Sequence, residues 1–296
     1  MTRAPLAVLG LGGVGGALAA RTGALCVGTE RTVEAIRERG LTLVHGAETT
    51  VVHPEATTRL EQPVPLLVVA VKAYDLDAAL DRVDPDALDG AVVLPLLNGL
   101  EHVDAIRGLL DGIAVAAGTI GVFSAAATEP AVVVQATAGP ATIRAASQDV
   151  DRETLAAALA PLEVPGVEVV LEDDERAVLW EKAVRLAVLA AATTASGLAV
   201  GALRGDPAWR VRMRAAVGEV TATAEADSVP MSAEAQWGMI EAMQPELTTS
   251  AARDAAAGRP TELDAIVGSI VRAAARLGVA TPALEALWEE ARCRAR

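Results

Sequence analysis

The 296-residue sequence predicts an α/β fold, with an N-terminal domain built on a parallel sheet and an all-helical C-terminal domain. Short apolar segments alternate with helical stretches through the first half, and this alternation is typical of a parallel sheet covered by helices. The predicted strands are residues 6–9, 25–27, 66–71, 92–96 and 113–117. A strand is also expected at 167–171, and beyond residue 172 the pattern is almost wholly helical.

The first strand leads directly into a glycine-rich turn of the pattern Gly-x-Gly-x-x-Gly, followed by a helix of small residues. Such glycines permit a tight bend, let the backbone approach a pyrophosphate and allow close packing of the helix on the strand. Free N–H groups at the helix N-terminus bind phosphate. The turn therefore predicts a Rossmann-type dinucleotide site, and a glycine-rich helix start without a ligand is the alternative. The residues predicted to contact the cofactor are Gly10, Leu11, Gly12, Gly13, Val14 and Gly15.

The predicted boundary gives a dinucleotide-binding domain, residues 1–172, and a helical substrate and dimerisation domain, residues 173–296. Segments 132–137 and 141–144 flank the turn signal Ala138-Gly139-Pro140 and are expected to pair as an antiparallel hairpin. Dinucleotide enzymes commonly bind substrate between two such domains, so we expect the substrate site there. Helix breaks are predicted at Gly205-Asp206-Pro207, Val229-Pro230, Gly258-Arg259-Pro260 and Thr281-Pro282.

Composition excludes several classes of protein. Aromatic residues make up only 2% of the chain, so the cores must consist of Ala, Val and Leu. A net charge of -14 disfavours nucleic-acid and anionic-membrane partners. Cys26, Cys293 and three scattered histidines offer neither a disulfide framework nor metal-ligand spacing. We expect a cytoplasmic protein without a metal, an export signal or a membrane span.

Further segments extend the pattern beyond the glycine turn. They are Val71-Lys72-Ala73-Tyr74-Asp75, Leu97-Asn98-Gly99, Trp180-Glu181-Lys182, Ser250 with Asp254, and Glu262. In the order and spacing of these segments, nearly the whole chain resembles the ketopantoate reductase family, whose members reduce 2-dehydropantoate to pantoate with NADPH. The resemblance implies an NADP-dependent oxidoreductase of pantothenate biosynthesis.

The resemblance also implies roles for individual residues. Lys72 and Asn98 would contact the nicotinamide end of the cofactor, and Asn98 would also contact substrate. Lys182 would be the proton donor and Glu262 its catalytic partner. Ser250 and Glu262 would hold polar groups of the substrate.

A lysine suits this chemistry because hydride delivered to a ketone carbon leaves an alkoxide, which an ammonium group stabilises and protonates. Burial lowers the pKa of such a lysine towards neutrality, and a nearby carboxylate limits the fall. A structural interpretation stays open for each residue. Lys72 fits an exposed strand end, Asn98 a turn, and Lys182, beside Glu181 and Arg185, a solvated helix face.

The residues that follow in the chain have structural alternatives as well. Ser250 fits a helix N-cap and Asp254 a surface charge. Glu262, behind Pro260, fits a first-turn carboxylate that favours the helix dipole.

One departure from the family pattern concerns the substrate. The family continues the lysine helix with asparagines four and eight residues on, where this chain has Leu186 and Ala190, while Thr193 matches a family threonine and is a predicted substrate contact. Losing two amides removes hydrogen bonds worth about 0.5–1.5 kcal/mol each. This favours a more apolar 2-oxo acid than 2-dehydropantoate.

A second departure follows the second strand, where NAD enzymes place an acid for the ribose and NADP enzymes place polar and basic groups for the 2′-phosphate. Thr29 stands where the family carries arginine, while Arg31 and Thr32 can clasp a phosphate. Glu30 fits the ribose of NAD equally well. We favour NADP, with Thr29 and Arg31 as contacts, over NAD.

The sequence thus predicts NADPH-dependent reduction of a 2-oxo acid to the 2-hydroxy acid, the substrate being 2-dehydropantoate or a more apolar analogue. Two alternatives stay open: an NAD-dependent D-2-hydroxyacid dehydrogenase on the same scaffold, and a non-catalytic NADP-binding sensor. The only partners expected are the small-molecule substrate and a second copy in a homodimer, since long apolar helix faces often pair with a partner copy.

Overall fold

The computed structural model describes residues 4–121 and 123–296. The chain divides into two compact units. The sheet unit comprises the residues up to Leu97 together with His102–Val178, and the helical unit comprises Asn98–Glu101 and Leu179–Arg296. The division after Val178 lies six residues beyond the boundary expected from the sequence, and the domains 1–172 and 173–296 stay a prediction.

All strands of the described residues lie in the sheet unit. They are β1 (Ala7–Leu9), β2 (Leu25–Val27), β3 (Leu41–His45), β4 (Glu48–Val52), β5 (Ala56–Thr57), β6 (Leu66–Val69), β7 (Val92–Pro95), β8 (Ala114–Val115), β9 (Ala117–Ile120), β10 (Ala125–Glu129), β11 (Val132–Gln135), β12 (Ala141–Ala146) and β13 (Val167–Leu171).

The central sheet has six strands in the order β5-β2-β1-β6-β7-β8, and every pair in it is parallel. The predicted parallel sheet is confirmed. β1, β2, β6 and β7 are buried along their whole length, as expected for apolar strands covered on both faces.

The predicted strand 113–117 is divided in the structure. β8 closes the central sheet, while β9 belongs to a three-stranded sheet of order β13-β12-β9. The residue between them, Ala116, still donates its N–H to Val93 O at 2.9 Å. The chain therefore passes from one sheet to the next within a single apolar run, which the sequence pattern does not mark.

The predicted hairpin between segments 132–137 and 141–144 is wrong. β11 and β12 lie in different sheets, and β11 instead forms an antiparallel hairpin with β10 and a parallel pair with β3, in the order β10-β11-β3-β4. The turn signal at Gly139-Pro140 marks a change of direction, and the partner of each strand depends on distant contacts. This four-stranded sheet was not predicted from the sequence, although Leu41 and Leu43 are separated by Thr42 and a turn follows at Gly46.

The helices of the sheet unit surround these strands. They are α1 (Gly13–Thr22), α2 (Glu30–Arg39), α3 (Leu76–Leu80), α4 (His102–Leu109) and α5 (Arg152–Leu159), with short 3-10 helices at Ala73–Asp75, Pro85–Leu88 and Ala160–Leu162. α1 packs against β1, β3, β10 and β11, so it is enclosed between two sheets. Its small residues permit this burial, because large side chains would hold the sheets apart.

The helical unit begins within α6. Its helices are α6 (Glu175–Ser196), α7 (Val200–Gly205), α8 (Pro207–Ala226), α9 (Ala233–Glu241), α10 (Ser250–Ala256), a π-helical turn at Asp264–Gly268, α11 (Ser269–Leu277) and α12 (Pro282–Arg294). The predicted breaks are confirmed. At the first of them α7 ends at Gly205, and Asp206 caps α8 by accepting hydrogen bonds from the N–H groups of Ala208 and Trp209. α8 packs against α7, α9, α11 and α12 and forms the centre of the unit.

No helix among the described residues is long and apolar enough to cross a membrane.

Candidate active site

The glycine turn connects β1 to α1 at the carboxyl edge of the parallel sheet. Gly10 has φ +93°, a conformation that favours glycine, and its N–H donates to Val27 O at 3.0 Å. Gly12 is the N-cap of α1 and has no side chain to cap it. The first N–H groups of the helix are consequently available to an anion.

The glycines of the turn serve two different purposes. A Cβ atom added to Gly15 would lie 1.9 Å from Gly10 O, and one added to Gly13 would lie 2.0 Å from Ala125 O. A Cβ added to Gly12 would meet nothing within 4 Å. Gly13 and Gly15 therefore permit close packing, while Gly12 leaves open space in front of a helix N-terminus. That space and those donors fit the pyrophosphate of a dinucleotide.

The end of β2 presents four neighbouring polar side chains. Thr29, Glu30 and Arg31 are exposed, Thr32 is half-buried, and the hydroxyls of Thr29 and Thr32 lie 3.1 Å apart. The Thr29 side chain does not cap α2, although Thr29 occupies its N-cap position. Hydroxyls beside an arginine suit a phosphate, while Glu30 suits a ribose diol.

Lys72 follows β6, the neighbour of β1 in the central sheet. It is the half-buried N-cap residue of the 3-10 helix Ala73–Asp75. Because parallel strands end at the same edge, Lys72 shares the carboxyl edge of the sheet with the glycine turn and with Thr29. Its position is that of a cofactor contact; the contact itself stays a prediction.

Asn98 lies with the helical unit, in the segment Asn98–Glu101, which we call the Asn98 loop. Asn98 is half-buried, and Gly99 has φ +96°. The turn expected from the sequence is therefore present. A Cβ on Gly99 would lie 2.1 Å from Ala265 O, so the loop backbone packs directly on the π-helical turn.

Lys182 and Glu262 come together within the helical unit. Burial lowers the pKa of Lys182 to about 8, and the negative charge of Glu262 opposes this fall. Glu262 itself is only 5% exposed and immediately precedes the helical turn that begins at Leu263. Lys182 is half-buried and lies close enough to Glu262 to feel its charge, which distinguishes it from a lysine on a solvated helix face. The pair can supply a proton near neutral pH.

Leu186 and Ala190 follow Lys182 at intervals of one helical turn along α6. Leu186 is half-buried and Ala190 is fully buried. Side chains at such spacing lie on one face of a helix, so the lysine face continues with apolar side chains, of which Leu186 is partly accessible and Ala190 is covered by the protein.

Thr193, one turn further, is also fully buried. Its hydroxyl donates to Leu189 O at 2.6 Å and lies 2.9 Å from the hydroxyl of Thr249, which accepts from the N–H of Ala252. Thr193 thus supports the N-cap of α10. Its direct contact with substrate stays a prediction.

The structure contradicts the structural alternatives given above for Ser250 and Asp254, which both lie on α10. Thr249, and not Ser250, is the N-cap, and Ser250 is the first helical residue. Asp254 is not a surface charge, since its side chain is only 13% exposed and accepts two hydrogen bonds from Arg259, at 2.7 and 3.0 Å. Ser250 stays the predicted substrate contact of this helix.

Sequence reasoning missed the residues that hold these groups in place. Thr249 directly precedes Ser250 and has a hydroxyl typical of a helix N-cap. Arg259 lies five residues after Asp254 and can form an ion pair with it. Both roles could have been predicted from the sequence. Arg272 binds Glu101 at 2.7 Å across a long stretch of sequence, and no local pattern indicates that pair.

The parallel sheet and its glycine turn define a dinucleotide-binding fold, which here combines a sheet unit with a helical unit. The sequence profile described as ketopantoate reductase PanE/ApbA matches residues 6–148, and the profile described as ketopantoate reductase PanE/ApbA C terminal matches residues 174–294. The chain therefore belongs to the ketopantoate reductase family. It is an oxidoreductase of a 2-oxo acid that uses a nicotinamide cofactor.

Individual relatives agree with this assignment. The 2-dehydropantoate 2-reductase of Halobacterium salinarum is 29% identical over 287 residues, which cover 92% of this chain and 94% of the relative. A PanE/ApbA family ketopantoate reductase from Ralstonia eutropha has a crystal structure that matches with TM-score 0.83 and 29% identity over 98% of both chains. The ternary structure of D-mandelate dehydrogenase with NADH and anilino(oxo)acetate matches with TM-score 0.84 over 98% of both chains. At 20% identity, this last likeness shows the fold alone.

Proposed function

We propose that the protein reduces an apolar 2-oxo acid to the 2-hydroxy acid with NADPH. The observation that carries the proposal is Lys182, whose pKa burial lowers to about 8 beside the buried carboxylate of Glu262. A group that is mostly protonated at pH 7, and that loses its proton readily, is suited to general-acid work.

The reduced nicotinamide, when bound, supplies the hydride that enters the carbonyl carbon. Lys182 donates a proton from Nζ to the carbonyl oxygen, on which negative charge develops as the reaction proceeds. Glu262 keeps enough of the lysine protonated to act, because its charge raises the pKa that burial lowers. We assign Asn98 and Ser250 to hold the polar groups of the acid and Thr193 to support Ser250 through Thr249.

The preference for an apolar substrate rests on Leu186, which is half-buried where the family carries an asparagine. Leu186 cannot hydrogen-bond a substrate hydroxyl, and a hydroxyl placed against it without a partner costs about 1–3 kcal/mol. An acid that presents a methyl or phenyl group to this face has no such cost.

A matched pair of substrates tests this preference. 2-Dehydropantoate and 3,3-dimethyl-2-oxobutanoate differ only in the terminal hydroxyl, and 2-oxo-2-phenylacetate adds an aromatic analogue. We expect a larger kcat/KM for the two acids that lack the hydroxyl, and we expect Leu186→Asn to move the preference towards 2-dehydropantoate. A strong preference of the wild-type enzyme for 2-dehydropantoate contradicts the apolar assignment but leaves the reductase assignment intact.

The choice of NADPH rests on Arg31 beside the hydroxyls of Thr29 and Thr32. Arg31→Ala is expected to weaken NADPH binding by roughly tenfold and NADH binding little, because NADH lacks the 2′-phosphate. Arg37→Ala, which removes an arginine from the same helix, serves as the control. A larger loss for NADH than for NADPH transfers the assignment to Glu30 and NAD.

A second candidate function is an NAD-dependent D-2-hydroxyacid dehydrogenase on the same scaffold. Exposed Glu30 favours it, and the D-mandelate dehydrogenase neighbour binds NADH. Parallel assays of the substrate panel with NADPH and NADH separate the two candidates. We also propose a homodimer, which light scattering in solution would detect.

A further inference from the structure

The backbone of the Asn98 loop packs directly against the π-helical turn at Gly99. The carbonyl of Ala265 occupies the space in which a Gly99 side chain would lie. Gly99 also has φ +96°, so both the conformation and the packing of the loop need glycine. The loop is therefore fitted to this turn of the helix.

The guanidinium of Arg272 binds both the Asn98 loop and the π-helical turn. Arg272 donates from Nε to Glu101 Oε1 at 2.9 Å and from Nη2 to Oε2 at 2.7 Å, which is a bidentate pair. The same guanidinium donates from Nη1 to Asp264 Oδ1 at 3.2 Å and from Nη2 to Asp264 O at 3.4 Å. Glu101 ends the Asn98 loop, and Asp264 begins the π-helical turn.

The π-helical turn held by Arg272 follows shortly after Glu262 in the chain. The N–H of Ile266 donates to Glu262 O at 2.9 Å, and the N–H of Ser269 donates to Asp264 O. A π-helical turn costs regular hydrogen bonding and occurs frequently at functional sites. Arg272 thus connects the segment that carries Asn98 with the segment that carries Glu262.

We propose that Arg272 and Glu101 are positioning residues, which hold the side chain of Asn98 in register with the Lys182–Glu262 pair. The inference rests on the proposed function. Neither residue touches the reacting atoms. The side chains of the pair are 41% and 42% exposed, so the ion pair adds little to stability and acts through geometry.

The inference can be tested by substitutions that remove the ion pair between Arg272 and Glu101 but keep side chains of similar size. Arg272→Gln and Glu101→Gln are each expected to lower kcat by roughly tenfold, because misplacement of a group that orients the substrate slows the reaction. KM for the cofactor should stay unchanged, and the double variant should be no slower than either single variant, since both remove one contact. Arg272→Lys keeps the charge but not the bidentate geometry, and its kcat should lie between those of the wild type and Arg272→Gln.

Arg276→Gln is the matched control. Arg276 lies on the same helix, 3.9 Å from Glu101 and 65% exposed, and its loss changes the charge equally. We expect kcat near that of the wild type. A fall in kcat as large as that of Arg272→Gln would show a general charge effect and overturn the inference.

Hydrogen exchange of the peptide that contains residues 98–101 gives a readout independent of turnover. It should accelerate in Arg272→Gln and Glu101→Gln and not in Arg276→Gln. Unchanged exchange would show that the ion pair does not hold the Asn98 loop in place. Faster exchange with unchanged kcat would show that this contact has no positioning role. Wild-type protein that reduces none of the 2-oxo acids contradicts the proposed function instead, and the exchange measurement still decides whether the ion pair holds the loop.

Discussion

The nucleotide turn and the lysine site are built in opposite ways. The turn is marked by residues close together in sequence: β1 ends at Leu9, the pattern Gly10-x-Gly12-x-x-Gly15 follows, and α1 begins at Gly13. The lysine site brings together Lys182 on α6 and Glu262, which precedes the π-helical turn much further along the chain. The lysine site therefore depends on contacts between residues that are far apart in sequence.

Under the proposed function, this difference distinguishes cofactor binding at the turn from proton transfer at Lys182. Within the turn, the open position of Gly12 and the packed position of Gly15 are separate, so a substitution at Gly12 should act on the ligand and one at Gly15 on stability. A site made of distant segments depends on the packing of the whole helical unit, and substitutions in it act on geometry and on pKa values as well as on contacts.

The sharpest contrast between the two sites is expected for Lys182→Ala. Loss of a general acid should lower kcat by about 10²–10⁴-fold. NADPH affinity, measured by fluorescence titration, should be preserved because Lys182 acts on the substrate oxygen. Lys182→Arg keeps the charge but holds its proton too tightly, and we expect it to be slow as well. Near wild-type rates in both variants would assign Lys182 to a solvated surface.

A substitution in the glycine turn should instead weaken cofactor binding. Gly12→Val is expected to weaken NADPH binding by roughly a hundredfold or more, because its side chain enters the space left for the pyrophosphate. Its effect on stability should be small, since Gly12 is exposed and has no close neighbour.

Gly15→Ala is the companion variant, because its Cβ would collide with Gly10 O. It should destabilise the protein by about 1–3 kcal/mol, which a thermal melt detects. If Gly12→Val keeps its fold and binds NADPH normally, Gly12 has no special role in cofactor binding, whereas unfolding would contradict the open space at this position.

The pH dependence of reduction reports on the lysine pair. The rate should fall as pH rises through about 8, because the neutral amine of Lys182 has no proton to donate. Glu262→Gln removes the charge that raises this pKa and should move the fall in kcat/KM to lower pH. Glu181→Gln, beside the lysine in sequence, should leave the profile in place. An unchanged profile in Glu262→Gln contradicts the pairing.

The smallest effect is expected for Thr193→Val. The hydroxyl of Thr249 would lose its buried partner, and we expect a loss of stability of about 1 kcal/mol with a modest change in KM. Ser250→Ala should show the converse, a higher KM with unchanged stability. A large rise in KM for Thr193→Val at unchanged melting temperature would instead indicate direct contact with substrate.

The features predicted correctly from the sequence are those with a local cause. The central strands are apolar runs bounded by turn residues, and the helix breaks coincide with proline and glycine. The errors concern pairing. β11 and β12 were expected to pair because they flank a turn, yet β11 pairs with β3 across a long stretch of sequence. Strand partners depend on which buried faces meet, and a turn signal carries no information about that.

By itself, the sequence determined the glycine turn, the alternation that builds a parallel sheet, the helical second half and the identities of the candidate site residues. Only the tertiary structure decided that Thr249 caps α10, that Thr193 is buried behind it, and that Arg272 ties Glu101 to the π-helical turn. It also decided the pKa of Lys182, because a pKa depends on burial and on nearby charge. Both arise only when distant segments pack together.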